Sequence, residues 1–414
     1  MKYGCIGEHL GHSFSAEIHR LLSQNPYEIH EVARDALNAF MRERDFCGIN
    51  VTIPYKEDVI PHLCRMSEQA EQIGAVNTIV NRGGKLYGYN TDFFGMSALI
   101  RRVGGEIRGK KVAVLGTGGT SRTAVAVASA MGAREILRVS RSQKDGCITY
   151  EMLCKDHADV EFIINTTPCG MFPNPNAKPV EVSNFPQLEG LIDAIYNPLR
   201  PQLVLEAKEM GIPSEGGLYM LVAQAVKASE LFLDCTYSQQ TLEEVYHSVL
   251  RQKENVVLTG MPASGKSSVG KCLAKLLNRE FFDLDEEIVK AAGRSIPEIF
   301  ASEGEAAFRD LESRVLREEL AQKNGIVLAT GGGAILRKEN VTQLRRNGRL
   351  YFLDRPLAML LPTEDRPLAS SAEEIKKRYE ERYARYCETA DCRIDGAGSV
   401  QDVAQLIRKD FEAL

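Results

Sequence analysis

The chain has 414 residues, of which 44% are hydrophobic and 26% charged, and its formal net charge is −5. That length exceeds one ordinary core and suffices for two or three, the mix is globular, and the acidic balance excludes a nucleic-acid-binding surface as the main business. No apolar run approaches the roughly 18 residues of a membrane span, Met1 to Gly7 lack the apolar stretch of a signal peptide, and the ten cysteines show neither a Cys-x-x-Cys pair nor zinc spacing, so a cytoplasmic protein with reduced thiols is expected.

Residues 1 to about 100 read as alternating short strands and helices carrying four polar motifs. His12-Ser13-Phe14-Ser15 offers two hydroxyls on an early loop. Asn50-Val51-Thr52-Ile53-Pro54-Tyr55-Lys56 sets Asn, Thr and Lys on alternating positions near a strand end. Gly74-Ala75-Val76-Asn77-Thr78 offers an amide, and Gly88-Tyr89-Asn90-Thr91-Asp92 a carboxylate. Residues 112–115 then read as a buried strand and 120–131 as a helix, joined by Gly116-x-Gly118-Gly119-x-Ser121, a dinucleotide turn. The next strand, 135–139, decides the dinucleotide. An NAD site wants an acid at its end, and here Ser140-Arg141-Ser142-Gln143-Lys144 reaches no acid before Asp145. Arg141 and Lys144 suit a 2′-phosphate, so NADP is predicted. Strands at 162–165 and 191–194 follow, and the βα alternation predicts a doubly wound parallel sheet. Helices at 218–229 and 242–251 lead to a polar stretch, Arg251 to Asn255, read as the main boundary.

Residues 256–259 form an apolar strand running into Gly260-Met261-Pro262-Ala263-Ser264-Gly265-Lys266-Ser267, the full Gly-x-x-x-x-Gly-Lys-Ser phosphate loop. Successive N–H groups of such a loop cradle phosphate oxygens, and the helix behind adds its positive dipole end. Lys266 is placed to reach the β/γ-phosphates of ATP and Ser267 to bind magnesium. Gly260, Ser264, Gly265 and Ser268 complete the expected nucleotide set. Phe282-Asp283-Leu284-Asp285 sets two carboxylates two apart, which share a face on a strand end. One could hold magnesium through water while the other meets a substrate hydroxyl. Ser295-Ile296-Pro297-Glu298 reads as a capping box. Phe308-Arg309-x-x-Glu312 puts a guanidinium on a helix. A strand at 326–330 enters Gly331-Gly332-Gly333, a backbone that a ligand can approach closely. Arg366-Pro367-Leu368 lies in a polar loop where a lid is expected.

In this order the elements of 256–414 resemble shikimate kinase. The resemblance implies a P-loop fold of the nucleoside monophosphate kinase type that uses ATP and magnesium. It implies that Asp285, Arg309, Gly332 and Arg382 hold shikimate, the two arginines on its carboxylate. Asp285 would orient the reacting hydroxyl or accept its proton, Asp283 would join Ser267 in supporting magnesium, and Arg366 would close over the transferring phosphate. Arg385 is a rival for the place of Arg382.

The four early motifs, with Asn165-Thr166-Thr167-Pro168-x-Gly170-Met171, Asp193-Ala194-Ile195-Tyr196-Asn197-Pro198 and Gly217-x-x-Met220-Leu221-x-x-Gln224, resemble shikimate dehydrogenase over residues 1 to about 250. The resemblance implies a two-lobed α/β unit. Its substrate-binding domain covers 1–101, completed by helices in 218–250, and its NADP-binding Rossmann domain covers 102–217. The kinase domain covers 256–414. Ser13, Ser15, Asn50 and Thr52 would surround the shikimate carboxylate with Tyr196 nearby, while Asn77, Asp92 and Gln224 hold ring hydroxyls. Lys56 and Asp92 would be the catalytic pair. Gly116, Gly118, Gly119, Thr120, Ser140, Arg141, Lys144, Ala194 and Gly217 would hold NADP(H).

Together the resemblances imply a bifunctional enzyme of chorismate and aromatic amino acid biosynthesis. It would reduce 3-dehydroshikimate with NADPH and then phosphorylate the shikimate formed. Its partners would be small molecules, with no nucleic acid or membrane, and it would be a monomer or homodimer. The alternative is a quinate/shikimate dehydrogenase fused to a weakly active or regulatory kinase domain.

Overall fold

The computed structural model describes residues 1–10, 14–144, 146–361 and 371–413, and the chain separates into two units, Met1–Val249 and Leu250–Leu414. The first unit holds two sheets. Strands β1 (Tyr3–Gly7), β2 (Tyr27–Glu31), β3 (Gly48–Val51), β4 (Arg65–Met66), β5 (Thr78–Arg82) and β6 (Lys85–Tyr89) form one, in the order β2-β1-β3-β5-β6-β4. β1 pairs in parallel with β2 and β3, but β5 runs antiparallel to both β3 and β6. This first sheet is therefore mixed. The cause is local: Gly83 and Gly84 alone join β5 to β6, both with positive φ (60° and 82°). Two left-handed residues in succession make a hairpin turn whose twist matches the strands it joins.

The second sheet comprises β7 (Lys111–Leu115), β8 (Glu135–Ser140), β9 (Ile148–Thr149), β10 (Phe162–Asn165), β11 (Gly190–Asp193) and β12 (Ser214–Glu215), in the order β12-β11-β10-β7-β8-β9. All its pairings are parallel, as the βα alternation predicts. Every residue of β7, β10 and β11 is buried, the pattern of strands covered on both faces. The order reverses between β7 and β10, and the crevice beyond their carboxyl ends is where such sheets bind ligands. The helices Thr91–Arg102 and Leu218–Leu233 pack so closely that a Cβ on Gly95 would lie 2.5 Å from the Met220 carbonyl oxygen.

The second unit is built on β13 (Asn255–Thr259), β14 (Phe281–Asp283), β15 (Val327–Ala329), β16 (Gly348–Asp354) and β17 (Cys392–Asp395), all parallel in the order β14-β15-β13-β16-β17. Strand alternation divides its core. Val257, Leu328, Leu350 and Phe352 pack on one face, while Val256, Leu258, Val327, Tyr351 and Leu353 pack on the other. The capping box at Ser295 is formed, with both the Ser295 side chain and the Glu298 carboxylate bonded across the turn.

The helix Gln239–Lys253 and β13 leave only Glu254 between them, so the polar stretch 251–255 is a helix end and a strand start, and the chain divides just before it, between Val249 and Leu250. One further expectation is revised. Asp283 and Asp285 do not share a strand face. β14 ends at Asp283, whose side chain accepts the Asp285 N–H and caps the helix Leu284–Ala292. No described helix is long and apolar enough to cross a membrane, and all ten cysteines are free thiols.

Candidate functional site

A cavity of about 490 Å³ opens in the first unit. β3 ends at Val51 and the chain turns, Tyr55 N–H donating to the Thr52 carbonyl, so that Lys56 is carried on a turn. Val76 N–H donates to the Lys56 carbonyl at 2.8 Å and pins that turn. Asp92 comes from the first turn of the helix Thr91–Arg102, which Asn90 caps. The Lys56 ammonium donates to Asp92 Oδ2 at 2.6 Å, and both residues line the cavity. The helix N-terminus sets its positive dipole end beside that carboxylate.

The polar floor is a network. Asn77 Oδ1 accepts from Thr91 N–H at 2.7 Å and is also within reach of the Thr91 and Thr78 hydroxyls. Its amide nitrogen is thereby the end turned to the cavity, an orientation set by the network of partners. Gln224 Nε2 donates to the Leu221 carbonyl at 3.0 Å, and its Oε1 accepts from Thr91 at 3.3 Å. Asn50 also lines the cavity, but both ends of its amide are held internally. Oδ1 accepts from Tyr27 at 2.7 Å, and Nδ2 donates to Thr78 Oγ1 at 3.0 Å and the Asn77 carbonyl at 3.3 Å. Asn50 thus braces the floor that carries Asn77. Ser15, Thr52 and Tyr196 complete the expected set on the walls. The Tyr196 ring meets Phe14 edge-on at 5.4 Å, and burial pushes its phenol above the usual range. Ser13 lies outside the described residues.

Thr120, from the first turn of the helix behind the dinucleotide turn, also lines the cavity, as do Ala194 after β11 and Gly217 before the helix Leu218–Leu233. Gly116 has φ +107°, and a Cβ there would lie 2.9 Å from Thr166 Oγ1. Gly118 and Gly119 instead face open space, with no atom within 4 Å of where a Cβ would stand, which leaves their backbone approachable by a pyrophosphate. Ser121, at the third-glycine position, is 1% exposed and donates to the Gly116 carbonyl at 2.7 Å, so the serine fastens the turn. Ser140 is buried at the end of β8, and Arg141 and Lys144 are exposed beyond it. Asp193, fully buried at the end of β11, accepts from Asn165 Nδ2 at 2.8 Å and Ile195 N–H at 2.9 Å. Desolvation raises its pKa to about 7 against those two bonds.

In the second unit the phosphate loop follows β13, with Gly260, Ala263 and Gly265 at φ 148°, 62° and 90°. Lys266 is 4% exposed and donates to the Gly260 and Met261 carbonyls, both at 2.9 Å. Ser267 Oγ lies 2.5 Å from Asp283 Oδ2. A hydroxyl and a carboxylate this close, beside a loop of inward N–H groups, fit a hydrated magnesium ion carried by a nucleotide.

The three glycines after β15 form the centre of the adjoining site. A Cβ on Gly331 would lie 2.8 Å from Asp285 Oδ1 and 3.0 Å from Glu312 Oε1; on Gly332, 2.9 Å from the Pro262 ring; on Gly333, 2.3 Å from the Arg309 guanidinium. Arg309 donates to both Glu312 oxygens at 3.1 and 3.0 Å and to Glu305 at 3.2 Å. Arg382 is 5% exposed and donates to the Gly332 carbonyl at 3.1 Å, where Tyr386 also donates. Desolvation lowers the Arg382 pKa, Arg378 and Arg309 add to the fall, and Tyr386 and Glu305 oppose it. Arg385 turns elsewhere, to the Ile335 carbonyl at 3.2 Å and Glu388 at 3.6 Å. Arg366 lies outside the described residues.

Sequence reasoning assigned no role to Glu312, although it stands in the Phe-Arg-x-x-Glu element. Its side chain is 0% exposed. Thr78, Thr91 and Tyr27 were likewise passed over. Thr91 stands inside one of the four early motifs, whereas nothing near Tyr27 signals its reach to Asn50. Cys5 and His9 also line the cavity without a local motif to mark them.

The shikimate kinase family model matches residues 262–412, and the shikimate dehydrogenase substrate binding domain model matches residues 5–79. A shikimate dehydrogenase (NADP(+)) of Clostridium perfringens is 37% identical over 264 residues, 60% of this chain and 97% of that protein. Among solved structures, a chorismate mutase/shikimate 5-dehydrogenase fusion protein from Clostridium acetobutylicum superposes with a TM-score of 0.57 at 32% identity, covering 60% of this chain and 96% of its own. A shikimate 5-dehydrogenase from Thermus thermophilus in complex with NADP(H) and shikimate does so at 0.54 and 27%, covering 60% and 99%.

Proposed function

The chain belongs to the shikimate dehydrogenase family and carries a shikimate kinase domain over residues 262–412, and from that premise we propose that it performs two consecutive reactions. The first unit reduces 3-dehydroshikimate to shikimate, and the second phosphorylates the hydroxyl so formed to give shikimate 3-phosphate. The observation that carries the reading is the Lys56–Asp92 pair, 2.6 Å apart in a cavity that Thr120, at the helix start behind the dinucleotide turn, also lines.

Bound NADP(H) supplies the hydride. Gly116, Gly118, Gly119 and Thr120 hold its pyrophosphate side, Ser140, Arg141 and Lys144 its phosphorylated ribose, and Ala194 and Gly217 border the reacting end. Lys56 gives a proton to the carbonyl oxygen as negative charge develops on it, and Asp92 keeps the ammonium aimed. Ser15 and Thr52, with Ser13, hold the carboxylate beside Tyr196. Asn77 donates to a ring hydroxyl, and Gln224 holds another. Asn50 acts through the floor it braces. The substrate-binding domain spans 1–101 with the helices of 218–250, the Rossmann domain 102–217, and the kinase domain 256–414.

Bound MgATP supplies the phosphoryl group. Gly260, Ser264, Gly265, Lys266, Ser267 and Ser268 hold it, and Ser267 with Asp283 supports the magnesium. Asp285 orients the acceptor hydroxyl and takes its proton. Arg309 and Arg382 grip the carboxylate against Gly332, and Arg366 closes over the phosphates. The buried placement of Arg382 beside Gly332 and Arg309 supports it over Arg385. Phosphorylation consumes the product of a reversible reduction, which gives the fusion a thermodynamic rationale. The ten free thiols fit a cytoplasmic protein.

The test incubates the purified chain with 3-dehydroshikimate, NADPH and MgATP and follows products by mass spectrometry. Shikimate 3-phosphate is expected. Shikimate that accumulates unphosphorylated refutes the kinase reading, and unreacted 3-dehydroshikimate refutes the dehydrogenase reading.

A further inference from the structure

β13 and β16 are parallel neighbours, Thr259 opposite Phe352, so their carboxyl ends deliver two loops side by side. One is the phosphate loop. The other begins with Arg355, the first residue beyond β16. The loops touch: a Cβ on Gly260 would lie 2.9 Å from the Leu353 carbonyl oxygen. The Arg355 guanidinium reaches further along the phosphate loop. Its Nη1 stands 3.9 Å from the place a Cβ would occupy on Gly265, the residue whose left-handed φ turns the loop into the helix Lys266–Leu277.

Arg355 is held loosely. Nε donates to the Met359 carbonyl and Nη1 to the Gly396 carbonyl, both at 3.4 Å, the outer edge of a hydrogen bond. Its neighbour Asp354 does not neutralise it. Asp354 Oδ2 is taken by Arg393 at 2.6 Å and by the Tyr383 hydroxyl at 3.2 Å. Among the described residues no carboxylate pairs with Arg355, whereas Arg309, Arg337, Arg349 and Arg393 each have one. A cation is therefore kept beside an anion-binding loop, on long bonds to carbonyls that a better acceptor can replace.

We propose that Arg355 is a nucleotide-binding residue of the second unit, its guanidinium pairing with the polyphosphate of the nucleotide seated on the Gly260–Ser267 loop. The inference rests on the reading of that loop as the ATP site. It adds to Lys266 a second cationic side chain beside the loop, delivered from the carboxyl end of the neighbouring strand.

The experiment titrates MgADP into the full chain by calorimetry, without shikimate, for the wild type, Arg355→Ala and Arg355→Lys. A charged hydrogen bond lost from the polyphosphate weakens MgADP binding in Arg355→Ala by about tenfold or more. Arg355→Lys restores most of the affinity. The alanine variant also shows a shallower dependence of affinity on salt. Shikimate binding, the dehydrogenase rate and the thermal midpoint stay at wild-type values, which separates a nucleotide contact from a structural role of the bond to Gly396. Wild-type MgADP affinity within about twofold in Arg355→Ala overturns the proposal and leaves the ATP site standing. A lysine variant as weak as the alanine variant overturns the pairing with phosphate. Absence of MgADP binding in the wild type itself overturns both the ATP reading and this inference.

Discussion

Arg309→Met isolates what a single buried carboxylate costs the second unit. Glu312 is 0% exposed, and Arg309 supplies hydrogen bonds to both its oxygens. Desolvation already raises the Glu312 pKa and nearby Asp285 adds to the rise, with the arginine working against both. Methionine keeps much of the volume and removes the counter-charge. Left ionised, the stranded carboxylate costs about 3–5 kcal/mol. The carboxyl can instead take a proton, which near pH 7.5 limits the cost to about 4 kcal/mol, at about 1.4 kcal/mol for each unit above an unfolded pKa of about 4.3. A pKa raised in the folded state means that the folded form binds the extra proton, so stability is greatest at low pH and is lost as pH rises. The destabilisation of Arg309→Met therefore shrinks to less than about 2 kcal/mol near pH 5.5. The assay is urea titration read by hydrogen-exchange mass spectrometry on peptides from 296–315 and 327–336, because two units need not unfold together. Adding Glu312→Gln removes the charge and recovers most of the loss near pH 7.5. A loss that is flat with pH, or that survives in the double variant, refutes the reasoning.

Lys56→Met, which spares Asp92, lowers kcat for NADP-dependent shikimate oxidation by about 10²–10⁴-fold, while phosphorylation of supplied shikimate continues; an unchanged kcat removes Lys56 from the proton transfer. Arg141→Ala raises KM for NADPH by about tenfold or more and leaves KM for NADH where it was, since only the former has a 2′-phosphate to lose; equal shifts in both assign Arg141 to some other contact. Asp193, with its pKa raised to about 7 by burial, makes the first unit most stable at low pH and costs stability as pH climbs from about 4 through about 7. Thermal midpoints across that window move against the wild type relative to Asp193→Asn, and a constant difference counts against an ionisation inside the fold.

Local chemistry made much of this legible. A strand, a glycine turn and a helix in succession can be read wherever they occur, because φ > 0 and close ligand approach select glycine residue by residue. The phosphate loop and the dinucleotide turn were visible for that reason, and the capping box at Ser295 because its serine and glutamate stand three residues apart. Gly83-Gly84 carried the same kind of signal, a hairpin turn, although residues 1 to about 100 were read only as alternating strands and helices, with no pairing direction. Asp285 was misplaced because a two-residue spacing looks alike on a strand end and at an N-cap. Partnerships across the sheet were not readable. Tyr27 meets Asn50 only because β1 sits between β2 and β3, and no pattern near either residue encodes that neighbour. Glu312 was read with no role in its helical element, and nothing local marks its burial, which brings its carboxylate against Gly331 beyond β15.

Gly331, Gly332 and Gly333 have a genetic consequence. A Cβ at each would crowd an atom of another residue: Asp285 and Glu312 at Gly331, the Pro262 ring at Gly332, and the Arg309 guanidinium at Gly333. A side chain at Gly331 or Gly333 therefore displaces a charged group of the site, and one at Gly332 meets a ring that cannot turn aside. Missense changes in these three adjacent codons are expected to impair the second unit's step and leave the first unit's intact. In a selection on the gene, this segment would yield alleles that separate the two activities within a full-length protein.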